Sequence, residues 1–299
     1  MKLVVAIAIA LAATPALAQT PAADPHAGHA MEQQQPAAAP AGPRNPNLPP
    51  DAAAAPEQLK TSPRHVDWVD VKGSNGTPIK TFVVYPERKD KAPVVVVIHE
   101  IFGLSDWIRG VADQLAKEGF IAVAPDMLSG MGPNKGGSQE LGEQGSTKVI
   151  GQLTDDDKVR ILNDVRTWAL TIPSANGKVG AVGFCWGGGT AFLWARKQPA
   201  LNAAVSFYGP MPNDSAEFAN TKVPVLGLYG GNDSRVNANI DAAKAGMAKA
   251  NAVYEPHIFE GAGHGFLRQQ SGNANAPGNM KATEEAWPLT LAFLRQHTK

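Results

Sequence analysis

The chain has 299 residues, with 27 basic and 27 acidic side chains and a sequence pI near 7.1. This balance predicts no nucleic-acid partner, because binding to a polyanion requires a basic surface. The single cysteine, Cys185, excludes a framework of intramolecular disulfides. Cys185 is therefore either a small buried side chain or a thiol that is kept for chemistry.

The N-terminus has the pattern of a secretory signal peptide at residues 1–18. Lys2 precedes an apolar stretch, residues 3–13, and Ala16-Leu17-Ala18 forms a small-residue cleavage site. We expect cleavage after Ala18 and a periplasmic or secreted mature protein. The apolar stretch is too short to span a bilayer, and no membrane-spanning segment is predicted after it.

Residues 19–60 are rich in Ala, Pro and Gln, and they predict a disordered leader because they carry too few large apolar side chains to form a core. Within this leader, His26 and His29 could bind a soft metal weakly. Two histidines without a fixed scaffold make a poor site, so a simple tail is favoured and no metal or organic cofactor is predicted. Residues 61–299 are long enough for one α/β domain.

Strands and helices alternate along this domain. In chain order we predict strands at 66–71, 79–86 and 93–98, a helix at 106–117 capped by Ser105, and a strand at 120–124. A Gly-rich stretch at 127–153 is interpreted as a long irregular loop or partial lid. There follow a helix at 155–169, a strand at 179–184, a helix at 187–197, strands at 203–208 and 223–229, a helix at 238–249, a strand at 253–259 and a helix at 282–296.

This alternation predicts a mostly parallel, doubly wound sheet flanked by helices. In such sheets the chemistry lies at the carboxyl ends of the strands. Cys185 comes directly after one predicted strand, in the segment Gly183-Phe184-Cys185-Trp186-Gly187-Gly188. Strand, sharp turn and helix around Gly-x-nucleophile-x-Gly form a nucleophile elbow, here with Cys in place of the commoner Ser. We therefore predict that Cys185 is a nucleophile.

A thiol nucleophile needs a base to take its proton and a carboxylate to orient that base. Asp233 follows the strand at 223–229, and His264 lies in a glycine-flanked loop after the strand at 253–259. The order nucleophile, acid, histidine is that of the α/β-hydrolase fold. An aspartate that only caps the next helix and a histidine that only lies at the surface are the alternative interpretations.

The segment His99-Glu100-Ile101-Phe102-Gly103 follows the strand at 93–98. The α/β-hydrolase fold places one oxyanion-hole amide in this loop and takes the other from the residue after the nucleophile. We therefore predict that the backbone N–H groups of Ile101 and Trp186 form an oxyanion hole.

Four segments together resemble the dienelactone hydrolase (carboxymethylenebutenolidase) family. They are His99–Gly103, Gly183–Gly188, Gly231-Asn232-Asp233 and Gly263-His264-Gly265-Phe266-Leu267-Arg268. The resemblance spans about residue 66 to the C-terminus and implies an α/β-hydrolase fold and hydrolysis of a small lactone or ester.

The same resemblance implies roles for individual residues. Cys185, Asp233 and His264 match the family's catalytic triad. Glu100 matches a glutamate that contacts the thiol, and Arg268 matches an arginine that binds the substrate carboxylate.

The chain departs from the family pattern at two places. Well-studied members carry a second carboxylate-binding arginine in the segment that corresponds to residues 127–157, where this chain offers Lys135 and Lys148 instead. Trp186 stands where those members usually have leucine.

Glu100 suggests a hypothesis about the thiol. A carboxylate near a thiol disfavours its ionisation, so the free enzyme would keep a largely neutral thiol until substrate displaces Glu100, which then takes the proton. The predicted function is that of an exported, monomeric cysteine hydrolase that cleaves small lactones or esters through a Cys185 acyl-thioester. The alternatives are a thioesterase or general carboxylesterase with the same triad, and a non-catalytic binding protein of the same fold.

Overall fold

An eight-stranded sheet forms the centre of the computed structural model, which describes residues 45–299. Its strands are β1 (Val66–Lys72), β2 (Pro78–Val84), β3 (Ala92–Ile98), β4 (Ile121–Pro125), β5 (Ala175–Phe184), β6 (Ala203–Phe207), β7 (Val225–Gly230) and β8 (Tyr254–Phe259). They lie in the order β1-β2-β4-β3-β5-β6-β7-β8. Pairs β1/β2 and β2/β4 are antiparallel, and all other neighbours are parallel. The predicted mostly parallel sheet is confirmed.

The helices alternate with the strands as predicted. Their bounds are α1 (Ala55–Thr61), α2 (Asp106–Lys117), α3 (Ser138–Val149), α4 (Asp155–Ala169), α5 (Trp186–Lys197), α6 (Ser234–Asn237), α7 (Ile240–Lys249) and α8 (Asn279–His297). Ser105 caps α2 as predicted, since its side chain accepts a hydrogen bond from the Ile108 N–H. Among the helices of residues 45–299, none combines the length and apolar character that crossing a membrane requires.

The core explains why the central strands are runs of apolar residues. Every residue of β4 and β6 is buried, and so is β3 apart from Pro93, which is partly exposed. A strand of a parallel sheet that is covered on both faces has no solvent side, and its sequence therefore shows no alternation. The Val/Ile run that ends at Ile98 reaches the edge of the sheet where the functional loops gather.

The predicted irregular stretch 127–153 contains a helix at Ser138–Val149, where the prediction is wrong, whereas residues 127–137 are turns around a short 3-10 segment, as an irregular stretch implies. Residue Ser138 begins α3, and its backbone N–H and hydroxyl both donate to the Asp126 carboxylate at 2.7 and 2.5 Å. A positive φ of 64° at Gly142 kinks the helix. The glycines that suggested a loop thus mark a start and a kink, positions where glycine's conformational freedom is used.

Structured residues also occur before the predicted domain start at residue 61. We call residues 45–61 the N-terminal strap. Trp107 donates its indole N–H to the Pro50 carbonyl at 3.0 Å, and the Ala52 N–H donates to the Arg268 carbonyl at 3.0 Å. These contacts tie the strap to α2 and to the loop after β8, and Leu48 supplies a buried apolar side chain. The predicted signal peptide, the rest of the leader, His26 and His29 lie outside the described residues.

Candidate active site

Cys185 lies at the turn between β5 and α5 in a strained backbone conformation. Its φ of 53° and ψ of −120° are unusual for a residue with a side chain. The Cys185 N–H donates to the Phe207 carbonyl of neighbouring β6 at 3.0 Å, and the side chain is buried. This is the backbone form that the Gly-x-Cys-x-Gly pattern predicts.

The two flanking glycines are required by close backbone approach. A Cβ atom on Gly183 would lie 1.9 Å from the Gly187 carbonyl oxygen. A Cβ on Gly187 would lie 2.3 Å from the carbonyl oxygen of Ile98, at the end of β3. Neither position has room for a side chain. The elbow backbone is therefore packed directly against the end of β3, where the loop with Ile101 begins.

We expect Gly183→Ala to destabilise the protein by about 3 kcal/mol or more, because the new methyl group can be accommodated only if the elbow backbone moves. Urea unfolding of the variant would measure this loss. Gly151→Ala is the matched control, since a Cβ there meets no atom within 4 Å. If both substitutions cost the same, the packing argument is wrong.

Asp233 and His264 form a hydrogen-bonded pair next to this turn. Asp233 Oδ2 lies 2.5 Å from His264 Nδ1, and Asp233 Oδ1 accepts from the Val236 N–H at 3.4 Å. Asp233 therefore both caps α6 and orients the histidine, so the two interpretations that the sequence left open apply together. Cys185 lies close enough to His264 for its charge to act on the imidazole. The structure thus brings together all three predicted triad residues.

The electrostatics of the trio favour proton transfer to His264. Burial alone would lower the pKa of His264, but the charge of Cys185 and the hydrogen bond with Asp233 outweigh it and raise the pKa to about 10. Burial alone would raise the pKa of Asp233, but His264 outweighs it and holds the pKa below its ordinary value. The histidine is therefore a strong base that is held by an ionised carboxylate.

The two predicted oxyanion amides lie at the ends of adjacent strands β3 and β5. Ile101 and Trp186 are each 2% exposed. Within residues 45–299, no hydrogen bond uses the backbone N–H of either residue. Two buried donors without an internal acceptor fit the requirement for an oxyanion hole. The Trp186 indole is itself buried against the His99 ring, so its bulk lies in the interior.

Glu100 and Arg268 form a close ion pair. Arg268 Nε lies 2.9 Å from Glu100 Oε1, and the guanidinium also approaches Glu143 at 3.6 Å. No hydrogen bond joins the Glu100 carboxylate to the Cys185 thiol, both of which are described residues. The thiol-gating role of Glu100 and the carboxylate-binding role of Arg268 stay predictions.

Burial raises the pKa of Glu100 to about 7, against the opposing charges of Arg268 and His264. Because this value lies above the ordinary 4.5, the folded protein holds the proton more tightly than the unfolded chain. The resulting stabilisation is fully present below about pH 4.5 and is lost as the pH rises through about 7.

We therefore expect the free energy of unfolding of the wild type, relative to Glu100→Gln, to fall by about 3 kcal/mol between pH 4.5 and 8, at about 1.4 kcal/mol per pKa unit. Urea unfolding across this range would measure the difference. The exposed Glu284→Gln serves as control. A wild-type curve parallel to that of Glu100→Gln would contradict the expectation.

A cavity of about 840 Å³ adjoins the Glu100–Arg268 pair. It is lined by Phe102 and Arg268, and also by Trp68, Lys80 and Arg109. The Arg268 guanidinium lies 4.8 Å from the centre of the Phe102 ring. Pockets of this size hold drug-sized ligands. The N-terminal strap contributes to the cavity wall through Ala52 and Pro56. The sequence predicted that this segment forms no structured element.

The lining of the cavity shows which basic side chains could take the place of the family's second carboxylate-binding arginine. The predicted alternatives to a second arginine, Lys135 and Lys148, are exposed and do not line the cavity. Lys80 and Arg109 line it instead, at 5.2 and 5.7 Å from the Trp68 ring. They come from β2 and α2, and no local motif in the sequence marks them.

Sequence reasoning also missed Tyr208, which follows β6. This residue is fully buried with a φ of 40°, and its ring lies 5.0 Å from that of His264. Burial and the nearby charges of Glu100 and Cys185 raise the pKa of Tyr208 well above its ordinary value. The sequence could have indicated Tyr208 only as a polar residue directly after a strand. Its positive φ is known only from the structure.

The mostly parallel sheet, the nucleophile elbow and the acid–histidine pair at the strand ends define an α/β-hydrolase. Within residues 45–299, no group of three or more His, Cys, Asp or Glu side chains could hold a metal ion. The chain belongs to the dienelactone hydrolase family, whose sequence pattern matches residues 79–298. It is a hydrolase that acts on carboxylic ester bonds.

Individual relatives agree with this family assignment. A protein of Yersinia pestis provisionally named carboxymethylenebutenolidase is 30% identical over 237 residues, which cover 75% of this chain and 86% of the relative. A protein of Salmonella typhimurium with the same provisional name is 31% identical over 238 residues, covering 75% and 85%. The crystal structure of a provisionally named dienelactone hydrolase from Klebsiella pneumoniae is 25% identical, with a TM-score of 0.68, and covers 78% of this chain and 99% of that one.

Proposed function

We propose that this protein is an exported cysteine hydrolase that cleaves lactones or esters through an acyl-thioester on Cys185. The observation that carries the proposal is the strained Cys185 at the elbow, beside a histidine that Asp233 orients through a 2.5 Å contact. A buried structural cysteine would need neither the strain nor the pair.

The reaction follows from this arrangement. His264 takes the thiol proton, and the sulfur attacks the ester carbonyl carbon while the carbonyl electrons move to oxygen. The N–H groups of Ile101 and Trp186 bind that oxygen, and removal of one such donor typically costs about 2.7–4 kcal/mol. When the C–O bond breaks, His264 returns the proton to the alkoxide, which for a lactone stays attached to the acyl group. His264 then activates water, which hydrolyses the thioester.

Glu100 and Arg268 enter this scheme as a pair that opens on substrate binding. A substrate carboxylate that binds Arg268 would release Glu100, whose raised pKa lets it take the Cys185 thiol proton near neutral pH and pass it to His264. Faster alkylation of the thiol in Glu100→Ala than in wild type supports gating. An unchanged or slower rate contradicts it.

The experiment that tests the proposal is acid quenching of the protein during turnover of an activated ester, followed by intact-mass and peptide analysis. The expected result is an acyl adduct on the peptide that contains Cys185, which disappears on treatment with hydroxylamine. Cys185→Ser is the matched control. Full ester hydrolysis with no acyl-cysteine at any quench time would overturn the mechanism.

A thioesterase or general carboxylesterase activity on the same triad is the second candidate. The cavity of about 840 Å³ is lined by Arg268 and not by the triad, and it favours this candidate as space for the part of a larger substrate that extends beyond Arg268. Steady-state rates on a dienelactone, a 4-nitrophenyl ester and an acyl-thioester would rank the substrates. Preference for uncharged esters would contradict the role of Arg268. Membership of a hydrolase family does not support the non-catalytic alternative.

Export is the part of the proposal that the sequence alone supports, through Lys2, the apolar stretch 3–13 and the cleavage site at Ala18. N-terminal sequencing of the protein from a periplasmic fraction should begin at Gln19. Recovery of the protein in the cytosol with Met1 or Lys2 at its N-terminus would contradict export.

A further inference from the structure

His99, at the end of β3, is fully buried and uses both of its ring nitrogens. Nδ1 lies 2.7 Å from the Glu100 carbonyl oxygen, and Nε2 lies 3.1 Å from the Met127 amide nitrogen. A backbone N–H can only donate, so Nε2 is the acceptor and the proton sits on Nδ1. Burial lowers the pKa of His99, which keeps the ring in this neutral form although Asp126 opposes the shift.

The hydrogen bond from Nδ1 acts on one particular peptide. The Glu100 carbonyl and the Ile101 N–H belong to the same planar unit, in which the two groups point in opposite directions. The Gly103 N–H also donates to this carbonyl, at 3.1 Å. The His99 ring and this backbone turn therefore together fix the direction of the N–H that serves as one oxyanion donor. Hydrogen bonding to the carbonyl also polarises the peptide, which strengthens its N–H as a donor.

The same ring contacts the residue that supplies the other donor. The His99 and Trp186 rings are stacked, with centroids 5.9 Å apart and planes at 16°. Lys158 Nζ lies 5.4 Å from the Trp186 ring and belongs to α4. The indole is thereby held where α5 begins, at the first N–H after Cys185. One buried side chain thus contacts both arms of the oxyanion hole.

We propose that His99 is the positioning residue of the oxyanion hole, which sets the Ile101 peptide through its Nδ1–H bond and the Trp186 amide through ring stacking. This inference rests on the proposed function and deepens it. His99 touches no reacting atom, since its two nitrogens are used by Glu100 and Met127. Its contribution should therefore appear in the step that develops negative charge on the carbonyl oxygen.

The test compares His99→Phe with His99→Gln. Phenylalanine keeps a ring against Trp186 but loses both hydrogen bonds, whereas glutamine can donate to Glu100 and accept from Met127. We expect His99→Phe to lower kcat for an activated ester roughly 100-fold to 1000-fold, the loss typical of one oxyanion donor, with little change in KM. We expect His99→Gln to recover at least 10-fold of that loss.

Alkylation by iodoacetamide separates positioning from general damage. This reaction uses the Cys185 thiol and His264 but forms no oxyanion, so its rate should stay within about threefold of wild type in both variants. Thr290→Val is the matched control for loss of a buried hydrogen bond, since the Thr290 hydroxyl donates to the Ala286 carbonyl on distant α8. Its kcat should be unchanged.

Three results would overturn the proposal. They are a His99→Phe variant with near wild-type kcat, a parallel loss of alkylation and hydrolysis, and an equal loss of kcat in His99→Phe and His99→Gln. If His99→Phe does not fold, the ring tautomer of His99 in the wild-type protein tests whether Nδ1 donates to the Glu100 carbonyl. Long-range ¹H–¹⁵N NMR of histidine-labelled protein should show a protonated Nδ1 and an unprotonated Nε2, and the reverse pattern would overturn the proposal. This signal is independent of Cys185 chemistry, so it stands even if no acyl-cysteine forms.

Discussion

Replacing Cys185 with alanine is expected to lower kcat for ester hydrolysis by roughly four to six orders of magnitude, because the members of a catalytic triad act as a unit. Alanine removes the sulfur that forms the acyl bond and leaves His264 without its proton donor. The residual rate comes from the oxyanion hole and substrate binding, which alone can give roughly 10³-fold to 10⁴-fold over water. Steady-state kinetics on a 4-nitrophenyl ester would measure the loss.

The substitution is well suited to isolate chemistry from folding. Cys185 is buried, and alanine is smaller than cysteine, so no overlap is created at the elbow. The backbone strain at φ of 53° is the same for both side chains. Thermal unfolding should therefore show a folded protein with a modest loss of stability. A variant that keeps more than about a tenth of wild-type activity would exclude Cys185 as the nucleophile.

The parts of the site that could be predicted from sequence are those encoded locally. The elbow at Cys185 is marked by the two glycines that its own backbone requires, within five residues of chain. His264 is marked in the same way by its glycine-flanked loop. Their positions at strand ends then predicted that they lie close together in space, because the carboxyl ends of parallel strands meet at one edge of the sheet.

The parts that could not be predicted depend on contacts between distant segments. The strap looked disordered because Ala and Pro bury little area by themselves, yet Trp107 and Arg268 provide partners for its backbone groups. The kinked helix α3 was hidden by glycines that lie at its start and at its kink. The pairing of Glu100 with Arg268 joins residues 168 positions apart, and no local pattern records it.

Asp233 illustrates how one residue can satisfy two patterns at once. A helix-capping aspartate and a triad aspartate look the same in sequence, and here the two carboxylate oxygens divide the roles. This division gives a substitution that removes one role while keeping the other. Asparagine caps helices about as well as aspartate, but it carries no charge.

We therefore expect Asp233→Asn to lower kcat by roughly 10⁴-fold, the loss seen when a triad carboxylate becomes an amide, with little change in stability. Without the carboxylate, the pKa of His264 falls and its Nδ1 proton is no longer held in the catalytic tautomer. Ester hydrolysis measured against pH would report both effects, as a low plateau and an acidic limb shifted to lower pH.

Asp214→Asn is the matched control, because Asp214 also caps a helical turn, accepting from the Ala216 N–H at 2.8 Å, but contacts no histidine. Its activity and stability should both stay near wild type. If Asp233→Asn lost less than about tenfold in kcat, the carboxylate would be only a cap, and the raised pKa of His264 would have to arise from Cys185 alone. If it lost stability in proportion to activity, the cap would be the dominant role, because an orienting carboxylate acts on the barrier rather than on the fold.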